Sequence, residues 1–599
     1  MRRSIRSTVI AAPLALALAL AGCSTPTADS TSSTVTSGSA SSTATTADQV
    51  LAENADIRTS ADVDPGDSTA TISLTGDSAT VDGDGVSVDG STVTITAAGT
   101  YTVSGELTGQ LVVTAAAEDD VVLILDDAQI TGSTGSAILI TEANAVEVQL
   151  AEGSTNTLTD AAGYTNADGP TAALSADVDL IVSGDGALTV TGTAEDGIAS
   201  SDGLSIEGGT ITVTAVDDGV RGKQSLSVSG GTLDVTSGGD GLTSNEDVDT
   251  TEGFVVLSGG TVTVDADGDA VQAETDLVVT GGTLDLSAGG GATAAVDDTV
   301  STKGLKSGVL LVVEDGDITV DSSDDAVHTN GTATVNGGTL TLTTGDDGIH
   351  ADTALDITGG SVEVVDSYEG LEATAITLSG GDVEVTASDD GVNAAGGETE
   401  DAQGDWSQST GTATLDITGG SLVVHAGGDG LDANGSITMT GGTVVVHGPE
   451  SGANGALDYD GTFEITGGTL VAVGTSGMAQ SPSTGGQGWI SAQVQVAAGE
   501  TIQIADADGT VLATLVTEEQ VSSVVVSLPE ITEGEEYQVL TGGSATADAT
   551  GGFSLGGDSS GSTVATTVTA GESAEGGMGG GMGGPGGNGG DAPAQPGQN

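Results

Sequence analysis

Residues 201–232 read SDGLSIEGGTITVTAVDDGVRGKQSLSVSGGT. Two marks in this stretch repeat out of phase with one another. An acid followed by glycine, Asp218-Gly219, lies 22 residues after Asp196-Gly197 and 22 before Asp240-Gly241. A double glycine, Gly208-Gly209, returns as Gly230-Gly231 at the same interval. Between the marks, Thr210-Ile211-Thr212-Val213-Thr214-Ala215 alternates polar and apolar side chains, the period of a half-buried strand. Each repeat is therefore a few short strands joined at glycine corners.

The acidic mark continues at Asp269, then at Asp325, Asp347, Glu369, Asp390 and Asp429. From Asp325 the first three intervals are 22, 22 and 21. Lys303 falls 22 residues before Asp325 and Ser451 falls 22 after Asp429, so both mark rungs that lack the acid. The wider gaps after Asp240 and Asp390 are loop insertions, the second carrying Trp406. A unit this short, without helix or disulfide, cannot fold alone, but stacked units bury continuous columns of Ile, Val and Leu. The expected fold is all-β, a parallel β-helix or solenoid of about 22 residues per rung. A propeller repeats every 40 to 50 residues or so, and the shorter period excludes it.

Composition suits a thin core: 98 glycines, 2% aromatics, and eight Lys+Arg against 88 Asp+Glu for a net charge of −80. Such acidity excludes nucleic acid, which needs clustered cations. It makes divalent cations natural partners and keeps a surface protein soluble and monomeric.

The chain divides as follows. Residues 1–22 carry Arg2, Arg3 and Arg6 before the apolar run Val9–Leu20, a signal peptide. Its end, Leu20-Ala21-Gly22-Cys23, resembles the bacterial lipobox, which implies export and lipidation at Cys23, the only cysteine. Residues 23–64 are expected to be a Ser/Thr/Ala-rich tether, 65–486 the β-helix, 487–545 a small C-terminal β cap, and 546–599 a disordered Gly-rich tail.

Adjacent strands of a sheet lie roughly 4.8 Å apart. Acids one period apart then stack as like charges, each pair costing about 0.9 kcal/mol in water and more at a protein surface. Two devices offset this. One is a divalent cation, calcium, held by Asp217, Asp218, Asp240, Asp269, Asp324, Asp325, Asp346, Asp347, Glu369, Asp389, Asp390 and Asp429. The other is a cation three residues beyond the corner: Arg221 after Asp218, and Lys306 after Lys303. The same column continues as His328, His350, Glu372, Asn393 and Asp432, and the pairs His328/His350 and His425/His447 are each 22 residues apart. Asp-Gly as a simple turn former is the alternative reading of the acids.

The stretch 201–232, STKGLKSG at residues 301–308, and GDGVSVDGSTVTITAAGTYTVSGELTGQLVV at 83–113 resemble a family of bacterial cell-surface carbohydrate-binding β-helix proteins that bind cellulose and polygalacturonate. The resemblance covers roughly residues 67–545 and extends to the Gly/Met tail. It implies a right-handed β-helix with bound calcium, resembling polysaccharide lyases in architecture, and a plant-type or acidic glycan as partner. On that basis Arg221, Lys223, Lys303, Lys306 and Trp406 are the carbohydrate-binding candidates. Aromatic platforms are few, with Trp406, Trp489 and Tyr368 the ones in position to serve. Three functions stay open: a non-catalytic calcium-assisted glycan binder, a calcium-dependent lyase with Lys303 or Lys306 as general base, and a passive envelope stalk.

Overall fold

A computed structural model describes residues 43–164, 172–295, 299–396, 412–545 and 549–574. It is all-β, with one sheet of 44 strands and a second of five. Along most of the large sheet, strands pair in parallel with their equivalents one repeat later. Thr210–Ala215 pairs with Thr232–Ser237, which pairs with Thr261–Ala266, equivalent residues meeting throughout. Val220–Gly222 and Ser225–Val228 belong to two further ladders of the same kind. The alternation in the sequence is realised directly: in Thr210–Ala215, Ile211 and Val213 are buried and the threonines are exposed. Ladders of such residues form one hydrophobic core running from Ala70 to Val525.

The double glycines have a conformational cause. In each of Gly208-Gly209, Gly230-Gly231 and Gly359-Gly360 the second glycine has positive φ, +84° at Gly360. A Cβ there would lie 2.8 Å from the carbonyl carbon of Gly337 on the preceding rung. Gly360→Ala is therefore expected to cost about 1–3 kcal/mol, read as a lower denaturant midpoint.

Both ends depart from the expected boundaries. Residues 43–64 are not a free tether. Ala47–Leu51 is a short helix, and Ala44, Ala47 and Val50 bury against Phe254, Val256, Val278, Leu310 and Val312. Farther along, the Ser60 amide and hydroxyl donate to Glu207, and Arg58 reaches Asp120 and Asp179 at 3.7 and 3.6 Å. The reason shows in Phe254–Leu257, buried on both faces, whose outward Phe254 and Val256 need a cover. At the other end, the β cap extends past 545. Phe553–Leu555 and Thr563–Thr569 complete the five-stranded sheet with Thr501–Ala505, Val511–Val516 and Glu536–Thr541. Phe553 is buried and pairs with Leu515. Val521–Ser527 runs antiparallel to Thr469–Gly474, which closes the last edge of the parallel ladder.

Candidate functional site

The acidic corners stack as the repeat requires. The amides of Gly197, Gly219, Gly241, Ala270, Gly304, Ala326, Gly348, Gly370 and Gly391 each donate to the carbonyl of the corner residue one rung on: Asp218, Asp240, Asp269, Lys303, Asp325, Asp347, Glu369, Asp390 and Asp429. The next position in this column is Gly455, not Ser451, because Leu431 pairs with Leu457 across a rung lengthened by four residues.

The carboxylates have a use that spacing did not reveal. Asp218 Oδ1 accepts the Asp240 amide at 3.0 Å, Asp240 Oδ1 the Asp269 amide at 2.9 Å, and Asp269 Oδ1 the Lys303 amide at 2.8 Å. Asp325, Asp390 and Asp429 do the same for Asp347, Asp429 and Gly455. Each such acid therefore ties one rung to the next with a charge-assisted bond.

The second column runs Arg221, Thr243, Gln272, Lys306, His328, His350, Glu372, Asn393, Asp432 and Asp458. Its cations neutralise the first column. Arg221 Nε lies 3.0 Å from Asp196 Oδ2 and 3.6 Å from Asp218 Oδ2, and Lys306 Nζ lies 2.8 Å from Asp269 Oδ2. His328 and His350 place Nδ1 at 2.7 and 2.9 Å from Asp325 and Asp347. Lys303, standing in the first column itself, puts Nζ 2.6 Å from Asp324 and 3.0 Å from Asp325.

These contacts set the ionisation. Burial opposes the charge on Asp325, but the His328 hydrogen bond and the Lys303 ammonium overcome it and hold the carboxyl well below the usual range. Burial likewise opposes a charged His350, yet Asp347, Asp325 and Glu372 raise it to about 9. Lys303 is also raised, against its burial, by Asp325 and Asp324. Past His350 no cation remains in the second column. Burial and neighbouring acids push Glu369 and Glu372 up to about 7, Asp429 to about 6 and Asp432 to about 8.

A groove of about 660 Å³ opens where the balanced and unbalanced stretches meet, lined from Lys303 to Glu372. Tyr368 stands at this groove, 48% exposed, and is the only exposed aromatic ring among the described residues. Trp489 is buried in the core, and Trp406 and Cys23 lie outside the described residues.

Of the twelve expected metal ligands, the structure gathers few. Asp324, Asp325 and Asp346 bring three carboxylate oxygens within 4.8 Å of one another, and Asp347 joins His350 and Glu372. Among the described residues, Asp217, Asp218, Asp240, Asp269, Glu369, Asp389, Asp390 and Asp429 enter no such three-ligand set. Several of them are committed instead to backbone amides, or to Arg221, Lys306 and the Asn393 side chain. The Asp324/Asp325/Asp346 set does not fit calcium, since the Lys303 ammonium already occupies it. The stretch from Asn393 to Asp458 has the donor type of a hard cation, although no three of its described carboxylates converge. Its donors are all oxygen, and Asn393 Oδ1 is buried with no hydrogen-bond partner while its Nδ2 donates to Glu369 at 2.8 Å.

The basic residues expected to contact glycan are largely committed. Arg221, Lys303 and Lys306 hold carboxylates, which leaves Lys223, 43% exposed and 2.7 Å from Glu246.

Residues 89–348 match the family model described as carbohydrate-binding domain-containing protein. A curated protein of that description from Acetivibrio thermocellus is 40% identical over 128 residues, 20% of this chain and 45% of that protein. The match thus spans about half the length of that relative. A solved structure described as a polysaccharide lyase-like protein from C. thermocellum, in a gadolinium derivative, aligns at 30% identity over 45% of this chain and 96% of that one, with a TM-score of 0.36.

Proposed function

We propose that the chain is a non-catalytic polysaccharide-binding protein whose sugar site is the groove beside Tyr368. The observation that carries this is the exposed Tyr368 ring lining the groove, when the other aromatic rings among the described residues are buried or half-buried. A flat ring offers an apolar face to a pyranose, and the flanking carboxylates and histidines accept and donate to hydroxyls. The match of residues 89–348 to a carbohydrate-binding family supports the same reading.

The glycan is proposed to be acidic, with calcium as its link to a surface that would otherwise repel it. Asp390, Asn393, Asp429, Asp432 and Asp458 would hold the ion, which supplies positive charge to a uronate carboxylate. The three ladders are read as one right-handed parallel β-helix. Lipidation at Cys23 would anchor the monomer to the outer face of the cell membrane, and absence of radiolabelled palmitate on the expressed protein would reject that.

The lyase reading is disfavoured by Lys303 itself. Its ammonium is raised in pKa and pinned between two carboxylates, so it is a poor general base at neutral pH. Affinity electrophoresis in gels cast with polygalacturonate tests the function. Tyr368→Ala is expected to weaken retention by about tenfold, the loss of one aromatic contact of about 1.4 kcal/mol. Unsaturated product absorbing in the ultraviolet would instead establish a lyase.

A further inference from the structure

We infer that His425, His447 and Glu518 form a transition-metal site of the zinc class that clips the C-terminal five-stranded sheet onto the last rungs of the large sheet. It lies on a different strand ladder from the groove, and none of its residues serves glycan binding.

His425 and His447 are directly paired in register on Ser421–Ala426 and Thr443–His447. Their rings stack at 4.9 Å between centroids with 2° between planes. Glu518 comes from the turn between Val511–Val516, in the five-stranded sheet, and Val521–Ser527, in the large one. Its Oε2 lies 3.3 Å from His425 Nδ1. One ligand atom from each of the three residues lies within 4.8 Å of the others.

Two imidazoles and one carboxylate, with a fourth position open to water, are the donor set zinc takes. Calcium takes oxygen donors and is not served by this set. The surroundings prepare His447 as a ligand. It is 4% exposed, and its Nε2 lies 3.0 Å from the Gly551 carbonyl. A carbonyl only accepts, so Nε2 carries the hydrogen and Nδ1 is left to bind metal. This carbonyl-to-imidazole bond is the outer contact that orients metal-bound histidines. Gly551 in turn packs on Val423 and Val445, and it precedes Phe553–Leu555 of the small sheet. Donor atoms on a tetrahedral zinc sit about 3.4 Å apart for bonds of roughly 2.1 Å. Closure therefore needs a turn of the His425 ring away from its stack on His447, at a side chain 23% exposed with Glu384 and Glu518 on its other contacts.

The test uses full-length protein without a polyhistidine tag, stripped with chelator and titrated with Zn²⁺ in the presence of calcium. One equivalent is expected to bind at micromolar dissociation constant or tighter. Co²⁺ in its place is expected to give the intense visible bands of a tetrahedral nitrogen and oxygen site. His425→Ala and Glu518→Gln, both at partly exposed positions and so expected to fold, should each weaken Zn²⁺ by tenfold or more. Zinc should also slow hydrogen exchange in Phe553–Leu555. No saturable binding, binding unchanged in His425→Ala, or loss of the equivalent in a His328→Ala/His350→Ala protein instead would overturn the assignment. So would bound zinc without slowed exchange, for the role as a clip.

Discussion

Lys303→Ala is expected to lower the unfolding free energy by about 3–5 kcal/mol in metal-free buffer, because it strips the ammonium shared by Asp324 and Asp325 in a largely buried pocket and leaves Asp325 only its histidine neighbours. The side chains of Lys303 and Asp325 are 14% and 4% exposed, so water does little to screen the loss. The same substitution leaves Asp324, Asp325 and Asp346 as an all-oxygen cluster with its centre vacated. Millimolar calcium should therefore restore most of the stability to the variant while changing the parent at this site very little. Denaturant titration with and without calcium reads both effects. A variant as stable as the parent, or one indifferent to calcium, would show that the columns do not depend on charge balance.

The second large effect is a dependence on pH. Burial first, and then the charges of Asp269 and Asp218, raise Asp240 to about 7; burial and Asp196 raise Asp218 to about 6. In the unfolded chain both titrate near 4. Between about pH 4 and 7 the folded protein thus keeps protons that the unfolded chain releases, so stability falls as pH rises through that window and levels off above it. Asp240→Asn removes the titrating group while its amide oxygen still accepts the Asp269 amide. It is expected to match the parent at pH 4 and to exceed it by roughly 2–4 kcal/mol at pH 8, since each tenfold rise in proton affinity on folding is worth about 1.4 kcal/mol, less some solvent screening. Equal losses at both pH values would mean that the carboxylate charge itself is what the inter-rung bond needs.

Much of this arrangement is legible in the sequence, because stacking forces period and register together. The three-residue offset puts Arg221 and Lys306 beside acidic corners and the 22-residue interval puts His328 against His350; in the fold Arg221 meets Asp196 and Asp218, Lys306 meets Asp269, and His328 pairs with His350. What escaped depends on partners that only the folded chain brings together. Ala47 and Val50 read as part of a Ser/Thr/Ala-rich linker until Phe254 and Val256 turn outward beneath them. Thr563–Thr569 sits among glycine and serine and becomes a strand only because Glu536–Thr541 offers it an edge. The aspartates read as metal ligands because a spacing shows which charges stack but not which oxygens already accept an amide. Lys303 reads as one site among several, whereas it fills the very carboxylate set that looks ready for calcium. Ser451 falls out of place because a four-residue lengthening of one rung moves the register to Gly455.

Tyr368, by contrast, owes its prominence to the corner it precedes. The amide of Tyr368 donates to the Asp346 carbonyl at 2.7 Å, and its exposed side chain lines the groove beside Glu369. The cations end at His350, one rung earlier. The sugar platform therefore stands beside Glu369 and Glu372, the first uncompensated acids of the two columns.

The decisive measurement is calorimetric titration of polygalacturonate into the calcium-loaded protein, the chelator-stripped protein and Tyr368→Ala. Saturable binding that needs calcium and weakens about tenfold in Tyr368→Ala is the result expected here. Binding that is the same in all three samples, or absent from all, would contradict a glycan site built from this ring and the acids beside it.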